Sequence, residues 1–138
     1  MGGVSLRVLI VEPGCAPYEK EIAASLAQMQ AIVGGTIQAI HPFAEPVALI
    51  CNDEAKLLGM PLNRALHDGD GRIYDVVAGT FFLCGVSPDS SGFTSLEDAQ
   101  IQIFKRRFRW PELFARMNGN IVAIPVIEAE EERRENDA

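Results

Sequence analysis

Histidine is nearly missing from this chain of 138 residues, which has only His41 and His67. A histidine-rich metal centre is therefore excluded, and few side chains are left that titrate near neutral pH. Cysteine is sparse too. Cys15, Cys51 and Cys84 are odd in number, and their spacing fits neither a zinc site nor a redox motif. Cys51 and Cys84 sit inside apolar runs and read as buried free thiols. No hydrophobic run approaches the ~20 residues of a membrane span. The apolar stretch after Arg7 is four residues long and ends at Glu12-Pro13, too short for a secretory signal. These features predict a cytoplasmic protein with no membrane partner. Basic residues are outnumbered, 12 against 19 acids, for a net charge of -7. Residues 128–138 hold six acids and two bases, so much of the acidity lies at that end. An acidic balance argues against nucleic acid as a general partner.

Apolar residues, by contrast, make up 48% of the chain, enough for a core without disulfide or metal support. Residues 1–127 read as one domain, and 128–138 as a disordered acidic tail. Leu6 to Val11 is a buried strand ended by a turn. Pro17 is suited to open a helix, and Tyr18, Ile22, Leu26, Met29 and Val33 form an apolar stripe along it. Gly34-Gly35 ends that helix. Thr36–Ile40 and Val47–Cys51 are strands, and Lys56-Leu57-Leu58 reads as a short strand after a turn. Pro61 to Arg64 is an irregular connector, and Asp68-Gly69-Asp70-Gly71 a turn. Arg72–Val77 and Thr80–Val86 are the most strand-like segments. Gly79 between them marks a bulge or a close backbone approach. Ser87 to Thr94 reads as a polar loop. Ser95 is expected to cap a helix running to about Arg109, with Asp98 as its capping-box partner. Pro111–Met117 reads as one or two helical turns, Asn118-Gly119 as a turn and Ile121–Ile127 as the last strand. The fold class expected is α+β: a mainly antiparallel sheet of about four to six strands with two main helices on one face. The first strand-helix-strand segment also fits a parallel crossover.

Several sequence words occur together: Val11-Glu12-Pro13-Gly14 with Pro17-Tyr18; Gly34-Gly35-Thr36-Ile37; His41-Pro42-Phe43; Asn63-Arg64; and Tyr74-Asp75-Val76-Val77-Ala78-Gly79-Thr80-Phe81-Phe82-Leu83-Cys84-Gly85. With them the chain resembles a family of small bacterial proteins encoded largely on phages, plasmids and integrative elements, a domain of unknown function. The resemblance spans residues 6 to 109. Ala55 departs from it, standing where the family usually has glycine. It implies a setting in mobile-element biology and no particular reaction.

No side-chain constellation in the sequence calls for catalysis or a cofactor. Either histidine could meet Cys51 or Cys84, but no spacing brings them together. Asp68 and Asp70 resemble the start of a calcium loop without its later ligands. Glu12 to Pro17 leads from a strand into a helix start that could hold an anion, but it lacks the lysine and glycine spacing of a P-loop. The most suggestive group is Asn52, Lys56, Asn63 and Arg64, donor-rich residues in connectors between apolar strands. They read either as a ligand- or partner-binding site, with Arg64 forked onto an anion, or as turn-holding groups with Arg64 paired to Asp75 or Asp68. Lys105, Arg106, Arg107 and Arg109 alternate with Phe104, Phe108 and Trp110. The two phenylalanines, four apart, fit the core, and the bases fit the helix dipole. The expected role is a non-catalytic binding module for a host protein. The alternative is a binder of a small anion such as a nucleotide, and a small enzyme ranks third. A homodimer is compatible with either binding role.

Overall fold

The computed structural model describes residues 3–89 and 91–128. At its centre lies β7 (Phe81–Val86), whose first five residues are fully sequestered. It pairs antiparallel with β1 (Ser5–Val11) on one side and β4 (Val47–Asn52) on the other. β2 (Tyr18–Ala23) and β3 (Ile37–Ile40) close the edges, giving the order β2-β1-β7-β4-β3. The two-residue β8 (Phe93–Thr94) adds to the far end of β7, so the expected polar loop contains a strand. A close backbone approach admits it. A Cβ on Gly85 would clash with Thr94 Oγ1 and stand 2.9 Å from the Ser95 carbonyl.

Continuous apolar strands mean that both sheet faces are covered. Leu9, Val11, Leu49, Phe81 and Leu83 face one core. Val8, Ile10, Ala48, Ile50, Phe82 and Cys84 face the other. α1 (Leu26–Val33) seals the second core with Met29 and Val33. α2 (Asp98–Arg107) seals the first with Ile101 and Phe104. The α+β class and the antiparallel sheet are as expected, but the helices take opposite faces instead of sharing one. Alternate residues of each central strand are apolar on both sides, so one layer of helices would leave a face bare.

Two further hairpins stand outside this sheet. β5 (Leu62–His67) pairs with β6 (Ile73–Ala78). β9 (Glu112–Met117) pairs with β10 (Asn120–Pro125). Asn118 and Gly119, both at positive φ (53° and 82°), make the tight turn of the second hairpin.

Several local expectations are corrected. Tyr18–Ala23 is a strand and not the first half of a helix. It pairs residue for residue with β1, from Ser5 opposite Ala23 to Ile10 opposite Tyr18. Covering the open edge of β1 outweighs the helical stripe, of which only Met29 and Val33 are used in α1. Ser25 caps that helix, its Oγ accepting from Gln28 N. No parallel crossover forms, and the expected helix start at Pro17 gives way to a β-turn, with Cys15 N donating to the Glu12 carbonyl. Lys56-Leu57-Leu58 is a turn with Leu57 and Leu58 exposed, while the expected connector at Pro61–Arg64 opens β5. Glu97 and Gln100, not Ser95 and Asp98, form the capping box of α2, and Ser95 Oγ instead accepts from Arg7 N. Finally, Glu112–Met117 is strand and not helix, because β9 finds its partner across the Asn118-Gly119 turn. The acidic tail expected from residue 128 onward lies, beyond Glu128, outside the described residues.

Gly79 links β6 to β7 at φ 74°, and a Cβ there would meet Met60 Sδ at 2.8 Å. The close approach at Gly79 is therefore made by side chains, chiefly Met60, and not by backbone as expected. Gly79→Ala should cost about 1–3 kcal/mol through left-handed strain and the methionine clash together. Pairing it with Met60→Ala should recover only the steric share. Urea denaturation of the single and double variants measures both, and a Gly79→Ala protein as stable as wild type would refute the assignment.

Candidate functional site

The four donor-rich residues occupy three different situations. Arg64 lies on β5 with no exposed surface. Among the described residues its guanidinium meets no carboxylate directly. Nε and Nη2 donate to the Phe108 carbonyl (3.2 and 3.0 Å), Nη2 also to the Cys15 carbonyl (2.6 Å), and Nη1 to Asn63 Oδ1 (2.7 Å) and the Asn63 carbonyl (3.3 Å). All five N–H donors find acceptors. Burial presses the guanidinium pKa below its ordinary value, and the Glu112 carboxylate offsets part of that. Phe108 is the C-cap of α2, so the cation sits at the negative end of the helix dipole. Neither Asp75 nor Asp68 is its partner.

Asn63, also buried, donates through Nδ2 to the Val11 and Gly79 carbonyls, both at 2.9 Å. Asn52 donates to the Val33 carbonyl at the end of α1 and accepts from Glu54 N. Both asparagines therefore hold turns and helix ends. Lys56 alone is open, and it pairs with Asp75 at 2.7 Å. Asn52 and Lys56 border a cavity of about 230 Å³ that also carries Asp53, Glu54 and Asp75. Its balance is acidic, which disfavours an anion.

The reactive residues stay apart. Cys84 is buried in the α1-side core, which pushes its thiol up to about 12. Cys51 donates weakly to the Gln38 carbonyl, and burial first, then Asp75 and Asp53, raises its pKa. No histidine–thiol hydrogen bond and no metal-holding group of three or more His, Cys, Asp or Glu side chains occurs among the described residues. Asp68 Oδ1 accepts from the backbone of Asp70 and Arg72, as a hairpin turn requires.

Three of the four bases in the Lys105–Arg109 run are engaged. Lys105 pairs with Glu19, which also holds Arg7. Arg107 pairs with Glu45 and lies over the Phe43 and Phe104 rings. Arg109 stacks on Trp110. Phe104 and Phe108 are core residues, as their spacing predicts.

Two openings were not legible in the sequence. One, of about 460 Å³, has Phe43, Leu66 and Phe108 beside Glu45, Asp68 and Glu112. The other, of about 1040 Å³, runs between the β5–β6 and β9–β10 hairpins. Their walls come from segments far apart in the chain, which no local spacing signals.

These features define an antiparallel α+β domain braced by a buried arginine, with two outlying hairpins. The family model for Domain of unknown function (DUF3846) matches residues 6–109, and the chain belongs to that family. No curated protein and no solved structure matches. The β9–β10 hairpin lies wholly beyond the matched span.

Arg64→Leu should destabilise the domain by at least ~3 kcal/mol, since four acceptor oxygens lose a charged donor. Arg64→Lys should fail to restore it, because one ammonium does not reproduce the fork. A loss below ~1 kcal/mol in chemical denaturation would remove the bracing role. In a separate experiment, Ellman's reagent should titrate Cys15, the exposed thiol, in the native protein and all three cysteines after unfolding. Rapid native reaction of Cys84 would contradict its burial.

Proposed function

We propose that this protein is a non-catalytic binding module that serves a bacterial mobile element by engaging a host protein in the cytoplasm, such as a defence or regulatory component. The mobile-element setting rests on the sequence resemblance. The binding role rests on one observation: an apolar ribbon face left open to solvent. Leu113, Ala115 and Met117 of β9 share a face with Val122 and Ile124 of β10, and Leu113, Met117 and Ile124 are 62%, 58% and 47% exposed. A two-stranded ribbon is marginal alone. An uncharged run such as Ile121–Ile124 at a sheet edge is open to pairing. A partner that covers the face and extends the ribbon answers both.

A small anion held by Asn52, Lys56, Asn63 and Arg64 is the weaker reading. Three of those side chains are already bonded within the fold, and Lys56 stands among carboxylates. A nucleotide bound there at 100 times its dissociation constant would add ~2.7 kcal/mol to thermal stability, and no such shift is expected.

The tagged chain, passed over extract of a host bacterium, should retain a discrete host protein that the Leu113→Ser/Ile124→Ser variant does not. Equal retention by both proteins, or none by either, would end the reading. A dimer of the chain that the same substitutions dissolve would reassign the face to self-association.

A further inference from the structure

We propose that the groove between the β5–β6 and β9–β10 hairpins takes an extended acidic segment of a partner protein. The inference rests on the binding-module reading and adds the chemistry of the partner. Its first support is charge. On a chain of net charge -7, this groove carries Arg72 from the turn of one hairpin and Arg116 from a strand of the other. Neither guanidinium is neutralised by an ion pair among the described residues. Lys56 and Asp75, also on its wall, cancel each other at 2.7 Å. The other two openings have the reverse balance. One sets Asp53, Glu54 and Asp75 against Lys56, and the other sets Glu45, Asp68 and Glu112 against Arg107.

Shape is the second support. At about 1040 Å³ the groove is at the upper limit for a small-molecule pocket, which runs to ~1,000 Å³. Both of its walls are β-ribbons. Among the described residues β6 pairs only with β5, and β10 only with β9, so each presents an unpaired strand edge. An extended segment satisfies such an edge with its main chain and places alternate side chains on opposite sides. Tyr74, Ile121 and Val122 offer apolar contact to one set, and the two arginines offer carboxylate contact to the other. A nucleic acid would use the same cations but must approach an acidic molecule, and its bases would need aromatic platforms, of which the groove has only Tyr74.

Fluorescence polarisation of a labelled decapeptide alternating Glu and Val tests this on the full chain. Binding should weaken with added salt. It should fall at least ~10-fold in Arg72→Glu and in Arg116→Glu, a loss of ~1.4 kcal/mol or more. Both residues are exposed, so the variants should melt like wild type. A matching Lys-Val peptide should not bind. Failure of the Glu-Val peptide, or equal binding by the charge-reversal variants, would overturn the inference, while the extract experiment on Leu113 and Ile124 would still decide the broader reading. Tighter binding of an oligothymidylate would assign the groove to nucleic acid, and displacement of the peptide by ATP at similar concentration would assign it to small anions. Peptide binding that emerges only after deletion of residues 129–138 would assign it to the chain's own acidic end. Each of these three outcomes overturns the partner assignment.

Discussion

A single guanidinium sealed from water organises this domain. Arg64 joins three chain segments that have little else in common: the turn after β1 through Cys15, the end of α2 through Phe108, and its own strand through Asn63. Burying an arginine without a bonded carboxylate is costly unless every donor is satisfied, and here each one is. Asn63 extends the same network to Val11 and Gly79, so β1 and the β6–β7 link are fixed with it. The first core is closed around this network by Phe81, Phe104 and Phe108, whose rings meet edge to face or stacked.

Much of the central sheet was legible because its strands are short, apolar and bounded by turn residues. β1, β4, β6 and β7 follow that rule closely. The misreadings share one cause: local pattern lost to a long-range partner. Tyr18–Ala23 has a helical stripe but lies beside the open edge of β1. Pro111–Met117 lacks alternation strong enough to announce a strand, and its hairpin depends on a turn that follows it. Leu62–His67 looked irregular because its central residues are polar, and nothing local says that Asn63 and Arg64 face inward.

The same blindness affected the candidate site. Donor-rich residues between apolar strands suggested a ligand, and sequence alone had no means to separate a donor aimed at a guest from one aimed at a carbonyl. Arg72 and Arg116 drew no notice, since 44 positions separate them and neither lies in a conspicuous word. Their convergence is a property of two hairpins leaning toward one groove. The hairpins are themselves coupled, with Ala65 N of β5 donating to Glu112 Oε1 at the start of β9. The hairpin beyond the family span is thus docked onto the family domain by a side chain.

Arg64 grips carbonyl oxygens of its neighbours, with only Asn63 contributing a side-chain atom. Backbone acceptors are supplied by any amino acid, so position 15 is free to drift in identity without loosening the brace, whereas Phe108 is kept by its place in the core. What the brace does register is loop length. Lengthening or shortening the Glu12–Pro17 turn by one residue would carry the Cys15 carbonyl out of reach, so the segment tolerates a new side chain at Cys15 better than an insertion, while Gly14, at φ 77°, is held to glycine.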